Sequence, residues 1–172
     1  MAAVRGAVTH PTDVTAMFEE REAYVARYRA RTPLPPMMLY HDLEYLEQEE
    51  DIEVLVPIQK PVPTNGHIAI RELPAQPTVA CLIHTGAYDT LPRAFSTLLR
   101  WIEQNQFTII GPTRELFLRF GANQQAYTLP NAYMANHASE FVTELQIPVK
   151  STLDQAINEA HTAIEFKERE NN

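Results

Sequence analysis

The sequence predicts an α+β domain built of two strand–helix–strand–strand (βαββ) units. Three observations predict it. Glu53-Val54-Leu55-Val56-Pro57-Ile58 is echoed about half the chain later by Glu144-Leu145-Gln146-Ile147-Pro148-Val149, and such an echo points to an internal duplication. Two stretches near the C-terminal end, residues 114–120 and 142–149, alternate as strands do. Each half also carries a helical stripe ahead of its last two strands.

Taken in order, residues 2–8 read as a short strand. Thr12 or Asp13 can cap a helix to about Ala30, with Val14, Phe18, Val25 and Tyr28 on its apolar stripe and Met17 and Tyr24 at the edge. Pro33, Pro35 and Pro36 end it. Residues 37–40 are a strand, 41–51 an acidic loop and 51–58 the next strand. Residues 59–66 link the halves, residues 67–73 alternate weakly, and 76–84 form a strong strand. Thr85-Gly86-Ala87-Tyr88-Asp89 is a turn, with Asp89 as cap of a helix whose stripe is Leu91, Phe95, Leu98, Leu99 and Ile102. Gly111-Pro112 leads into the last two strands. The connection 121–140 is long enough to be a functional cover or a poorly ordered segment. Residues from 151 to about 169 read as a helix with no counterpart in the first half. The domain therefore spans 1–150, with half-repeats over about 1–60 and 67–150, followed by a helical extension, 151–172.

Composition narrows the function. The 172 residues are 45% hydrophobic and carry a net charge of −8, which argues against a nucleic-acid surface of clustered Lys and Arg. No apolar run approaches the roughly 20 residues of a membrane span. The N-terminal residues do not read as a signal peptide. The single cysteine, Cys81, reads as a small buried hydrophobe and fits a reducing cytoplasm. Six histidines lie far apart without ligand spacing, and there is neither a phosphate-binding glycine loop nor a nucleophile elbow. No metal and no cofactor are expected. His41-Asp42 reads as a strand-end turn.

What remains is carboxylates beside aromatics. In the first alternating strand Glu115 shares a face with Phe117 and Arg119, opposite Leu116, Leu118 and Phe120. In the second, Glu144 lies opposite Leu145, Ile147 and Val149. If the apolar sets pack on helices, the remaining face carries Glu115 and Glu144 with Phe117, Phe141 and Tyr88, and with Tyr40 and Trp101 as further candidates. Aromatic faces attract cations and a carboxylate supplies the counter-charge, so the expected partner is an amphipathic cation. The plainer alternatives are that Glu144 faces solvent and that Trp101 belongs to the core.

These residues resemble a known family. His84-Thr85-Gly86-Ala87-Tyr88-Asp89-Thr90-Leu91, Leu99-Arg100-Trp101-Ile102, Gly111-Pro112-Thr113-Arg114-Glu115 and the Glu144 to Val149 string follow the order of the GyrI-like, or bacterial transcription activator effector-binding, domain. Pro36-Met37-Met38-Leu39-Tyr40-His41-Asp42 and Asp51-Ile52-Glu53-Val54 resemble its first repeat in MerR-type regulators. The resemblance covers roughly residues 2–150. It implies tandem βαββ repeats with pseudo-twofold symmetry that share an antiparallel sheet, with helices on one sheet face and a ligand groove between the halves on the other. It implies binding of drug-like, aromatic or cationic molecules, with Glu115 as the acidic group and Phe117 and Phe141 as its neighbours. Glu144 matches a typical carboxylate, and His10 and Tyr88 would rim the groove. Leu39 completes the expected ligand set.

The expected function is small-molecule sensing or sequestration without direct contact to nucleic acid or membrane. The expected assembly is a homodimer, or a chain lacking a DNA-binding domain, since the first strand begins at residue 2. Two alternatives stand beside this: hydrolysis of a strained electrophile with Glu115 or Glu144 as general base, and a protein-interaction module like a gyrase inhibitor.

Overall fold

The computed structural model describes residues 1–8, 11–42, 50–64, 66–121 and 129–153. In chain order these form β1 (Ala2–Val8), α1 (Pro11–Arg27), β2 (Met37–Tyr40), β3 (Glu50–Val56), β4 (Ala69–Ile70), β5 (Val79–Thr85), α2 (Leu91–Gln104), β6 (Phe107–Ile109), β7 (Thr113–Arg119) and β8 (Val142–Ser151). The strands make one antiparallel sheet in the order β4-β1-β3-β2-β7-β8-β5, with β6 pairing the end of β8. The expected helix after residue 151 and His10 lie outside the described residues.

The pairing registers contain the duplication. Glu53 is paired with Arg5 and Leu39, and Glu144 with Ile83 and Leu116, so the echoed glutamates occupy equivalent places. The two halves meet at β2 and β7. There, Met37 pairs with Leu116 and Leu39 with Arg114, while Met38 faces Glu115. Exchanging the halves turns the first pair into the second and returns Met38–Glu115 to itself. The pseudo-twofold axis therefore passes through the Met38–Glu115 pair. The helices obey the same correspondence: α1 and α2 each end two residues before a left-handed residue, Arg29 (φ 50°) and Gln106 (φ 58°).

Both helices lie on one face of the sheet. α1 packs on β1 and β3, and α2 on β5 and β6, which leaves the central strands β2 and β7 between them. Phe18 of α1 joins Val8, Met38, Ile52, Val54 and Phe117 in one core, and Leu91, Leu98 and Ile102 of α2 join Ala80, Leu145, Ile147 and Val149 in another. Asp89 does not cap α2. It sits in a 3-10 turn, Tyr88–Thr90, and Thr90 occupies the cap position without a side-chain bond to the helix's own N–H groups.

The opposite face is covered differently. Residues 71–78 connect β4 at one edge of the sheet to β5 at the other, so this connection crosses the sheet as a strap. Its Leu73 packs on Ala3, Leu39 and Leu55, and its Arg71 Nη1 donates to Glu53 at 2.8 and 3.0 Å. Every residue from Ile52 to Val56 is consequently buried, with helix on one side and strap on the other. At β5 the strap face is open: Cys81 and Ile83 are exposed, correcting the expectation of a buried cysteine.

Candidate functional site

The helix-bearing face has a charged centre. Glu115 lies on β7, at the pseudo-twofold axis, and is 4% exposed. The Tyr40 hydroxyl donates to its Oε1 at 3.0 Å. Among the described residues no basic side chain pairs with it. Burial pushes its pKa up to about 7, against the Tyr40 hydrogen bond, which lowers it; the charge of Glu50 adds to the rise. Burial first, and then the Glu115 charge, raise the pKa of Tyr40, which stays a phenol donor.

Aromatic rings share the face with this carboxylate and are arranged by a reciprocal exchange. Phe117 of the second half meets Phe18 on the first half's helix edge to face, with centroids 5.3 Å apart and planes at 84°. Tyr40 of the first half meets Phe95 on the second half's helix at 6.3 Å and 88°. Tyr40 and Phe117 are equivalent by register, since Tyr40 faces Ile52 and Phe117 faces Thr143. Each central strand thus sends one ring toward the opposite helix. Tyr88 completes the second-half end, 5.8 Å from Phe117 and 4.8 Å from Phe141. Its place follows from Gly86, whose φ of 134° lets the chain turn out of β5.

The two ends differ chemically. Glu50 on β3 stands where Phe141 stands in the second half, as the Glu53–Glu144 correspondence requires. It pairs in register with Val8 and therefore lies on the helix-bearing face. Burial and the nearby Asp42 raise its pKa. The first-half end is accordingly acidic and hydrogen-bonding (Tyr40, Glu50), and the second-half end is aromatic (Phe117, Tyr88, Phe141). Sequence reasoning placed Glu50 in an acidic loop; its pairing into β3 gives it a facing direction.

Several expected site residues lie elsewhere. Opposed residues of an antiparallel pair share a face, and β7 pairs with β8 as Glu115↔Leu145 and Leu116↔Glu144. Glu115 therefore points to the helices with Leu145, while Glu144 points to the strap face, where Gln146 Nε2 donates to it at 2.8 Å. The two carboxylates do not share a groove, and Glu115, Phe117 and Tyr40 lie on the helix-bearing face, not away from it. Leu39 is 1% exposed in the strap-side core. Trp101 is 47% exposed and stacks on Phe107 at 5.7 Å, at the far end of α2. Phe120, expected opposite Phe117, joins it in the core, because a bulge between Phe117 and Arg119 shifts the alternation.

Residues 1–150 match the GyrI-like small molecule binding domain. The chain belongs to that family. No curated protein matches it. Among solved structures, this GyrI-like domain is similar to EcmrR in an EcmrR–DNA complex, with a TM-score of 0.74 and 24% identity over 88% of this chain and 53% of that one, so it spans about half of that chain's length. It is also similar to the EcmrR C-terminal domain alone (TM-score 0.67, 22% identity, 88% of this chain and 92% of that one). A third similar structure is an uncharacterised conserved protein from Listeria innocua (TM-score 0.53, 11% identity, 87% and 88% covered). At these identities the likeness is one of fold. Among the described residues no helix is long and apolar enough to cross a membrane, and no cluster of His, Cys, Asp or Glu could hold a metal ion.

Proposed function

We propose that this GyrI-like domain binds an aromatic cation on the helix-bearing face, between α1 and α2, with Glu115 as the counter-charge. One observation carries the reading: a carboxylate that is 4% exposed, bonded to the Tyr40 phenol, with Phe117 two residues along the same strand face, and without a basic partner among the described residues. An ionised carboxylate in such a place is costly. A cation stacked against Phe117 and Tyr88 supplies both the missing charge and a π partner. Glu50 adds a second acidic group at the first-half end. The role that fits is the sensing or sequestering of the ligand, as an effector domain of the MerR-type class, with DNA contacts made by other protein, not by this face.

The test is calorimetric titration with 10-methylacridinium, a permanent cation, and acridine, its neutral parent in mildly alkaline buffer. The wild type binds the cation, Glu115→Gln loses most of that affinity, and acridine binding changes little. Equal cation affinity in the two proteins would remove Glu115 from the site. The raised pKa of Glu115 also suits a general base, which favours one second reading, hydrolysis of a strained electrophile. Turnover of a simple aryl epoxide that disappears in Glu115→Gln would establish it, and binding without turnover would exclude that activity for the compound.

A further inference from the structure

Thr143 is the polar group that the described site leaves unexplained. It lies on β8 on the helix-bearing face, in register with Phe117 on one side and His84 on the other. It is 0% exposed, and its Oγ1 has no hydrogen-bond partner among the described residues. Buried hydroxyls are nearly always bonded, and a bare one calls for an explanation. The neighbouring polar groups bond elsewhere: His84 Nε2 is 2.8 Å from Thr90 Oγ1, and Glu115 Oε1 accepts from the Tyr40 hydroxyl. The ring next to Thr143 in register is Phe117, with Tyr88 and Phe141 beyond.

Position adds to this. Glu115 faces Leu145, two residues along β8 from Thr143, so the hydroxyl and the carboxylate sit on diagonal neighbours with Cα atoms roughly 7–8 Å apart. Resting on the cation-binding reading above, we infer that Thr143 is a specificity-determining contact of the site: its hydroxyl receives a hydrogen-bonding substituent on the aromatic part of the ligand, remote from the charge that Glu115 meets. The ligand class narrows to aromatic cations bearing an amine, hydroxyl or carbonyl on the ring system. Ligands without one leave the hydroxyl bare and bind more weakly.

The experiment compares two dyes with the same ring and a permanent charge, 10-methylacridinium and 3,6-diamino-10-methylacridinium, by fluorescence titration. Thr143→Val keeps the side-chain shape and removes the hydroxyl, Thr143→Ala removes it with a different shape, and Thr143→Ser keeps it. The diamino dye loses roughly five- to tenfold in affinity for Thr143→Val and Thr143→Ala beyond any loss of the plain dye. Thr143→Ser retains the wild-type preference between the dyes. Without ligand, Thr143→Val melts no lower than wild type, because it removes an unbonded buried hydroxyl. Equal losses for both dyes, or no loss for the diamino dye, overturn the inference while cation binding stands. Failure of the wild-type protein to bind either dye overturns the cation-binding reading and the inference with it.

Discussion

Glu53 and Glu115 are buried to the same degree in the same sheet, 3% and 4% exposed, yet their surroundings are opposite. Glu53 faces the strap, where Arg71 donates to both its oxygens and His41 Nε2 lies 2.9 Å away. Glu115 faces the helices, where its hydrogen-bond partner among the described residues is a phenol. Burial alone therefore does not mark a site. A buried carboxylate whose counter-ions are supplied by its own chain is structural, and one without a basic partner among the described residues is, on the reading proposed above, the place for a ligand's charge. The difference can be broken or sharpened by removing each charge in turn.

The largest effect is expected at Glu115. Glu115→Gln should lose roughly 10- to 1,000-fold in affinity for 10-methylacridinium, the range for a desolvated ion pair that retains some access to water. Calorimetry in mildly alkaline buffer reads it. Next comes the pH dependence of folding. Below about pH 4.5 the carboxyl is protonated in the folded and unfolded chain alike, and its burial is tolerated. As pH rises, the unfolded chain ionises first and the folded chain only near pH 7, so stability falls across that window and the loss is complete above it. The penalty is about 3 kcal/mol. Urea denaturation near the two ends of the window should show this slope in wild type, and Glu115→Gln should lack this share of it. A slope shared equally by both proteins would mean that another group is responsible. The same linkage makes cation affinity rise with pH toward 7.

Glu53→Gln should do the reverse of Glu115→Gln. It strips the strap's Arg71 of its partner and should destabilise the fold by about 2–3 kcal/mol, at or below the low end for a buried pair because Arg71 is 36% exposed. Acridinium affinity should not change. A large loss of affinity in this variant would show that the two faces are coupled. The smallest effect is expected for Glu144→Gln: less than about 0.5 kcal/mol in stability and none on cation binding, measured by the same titration. A loss comparable to that of Glu115→Gln would contradict the register that puts Glu144 on the strap face.

Much of this fold was legible in the residues. Residues 2–8 and 37–40 matched β1 and β2, and the Glu53 and Glu144 strings revealed the duplication that the registers carry. The facing of β7 was not legible. Leu116 and Leu118 look like a helix-facing set, but β7 lies at the centre of a sheet covered on both sides, so its apolar residues do not say which cover they meet. A one-residue change of register moves every side chain to the other face, and that was enough to put Glu144 beside Glu115 in the reading and apart in the molecule. Glu50 escaped for a related reason, since its value lies in its pairing with Val8, which no local pattern announces. β6, three residues long, had too little sequence to alternate. Thr143 sits within a predicted strand, but only its missing partner distinguishes it.

The strap joins the two outer edges of the sheet, so it bounds how far they can draw apart: its nine residue steps reach about 31 Å at full extension. On the binding reading proposed above, a molecule that spread α1 and α2 apart would pull on this tether from the opposite face, as a drawn bow pulls its string. Ligand occupancy on one face would then be felt as strain on the other, at Leu73 and at the Arg71–Glu53 contact.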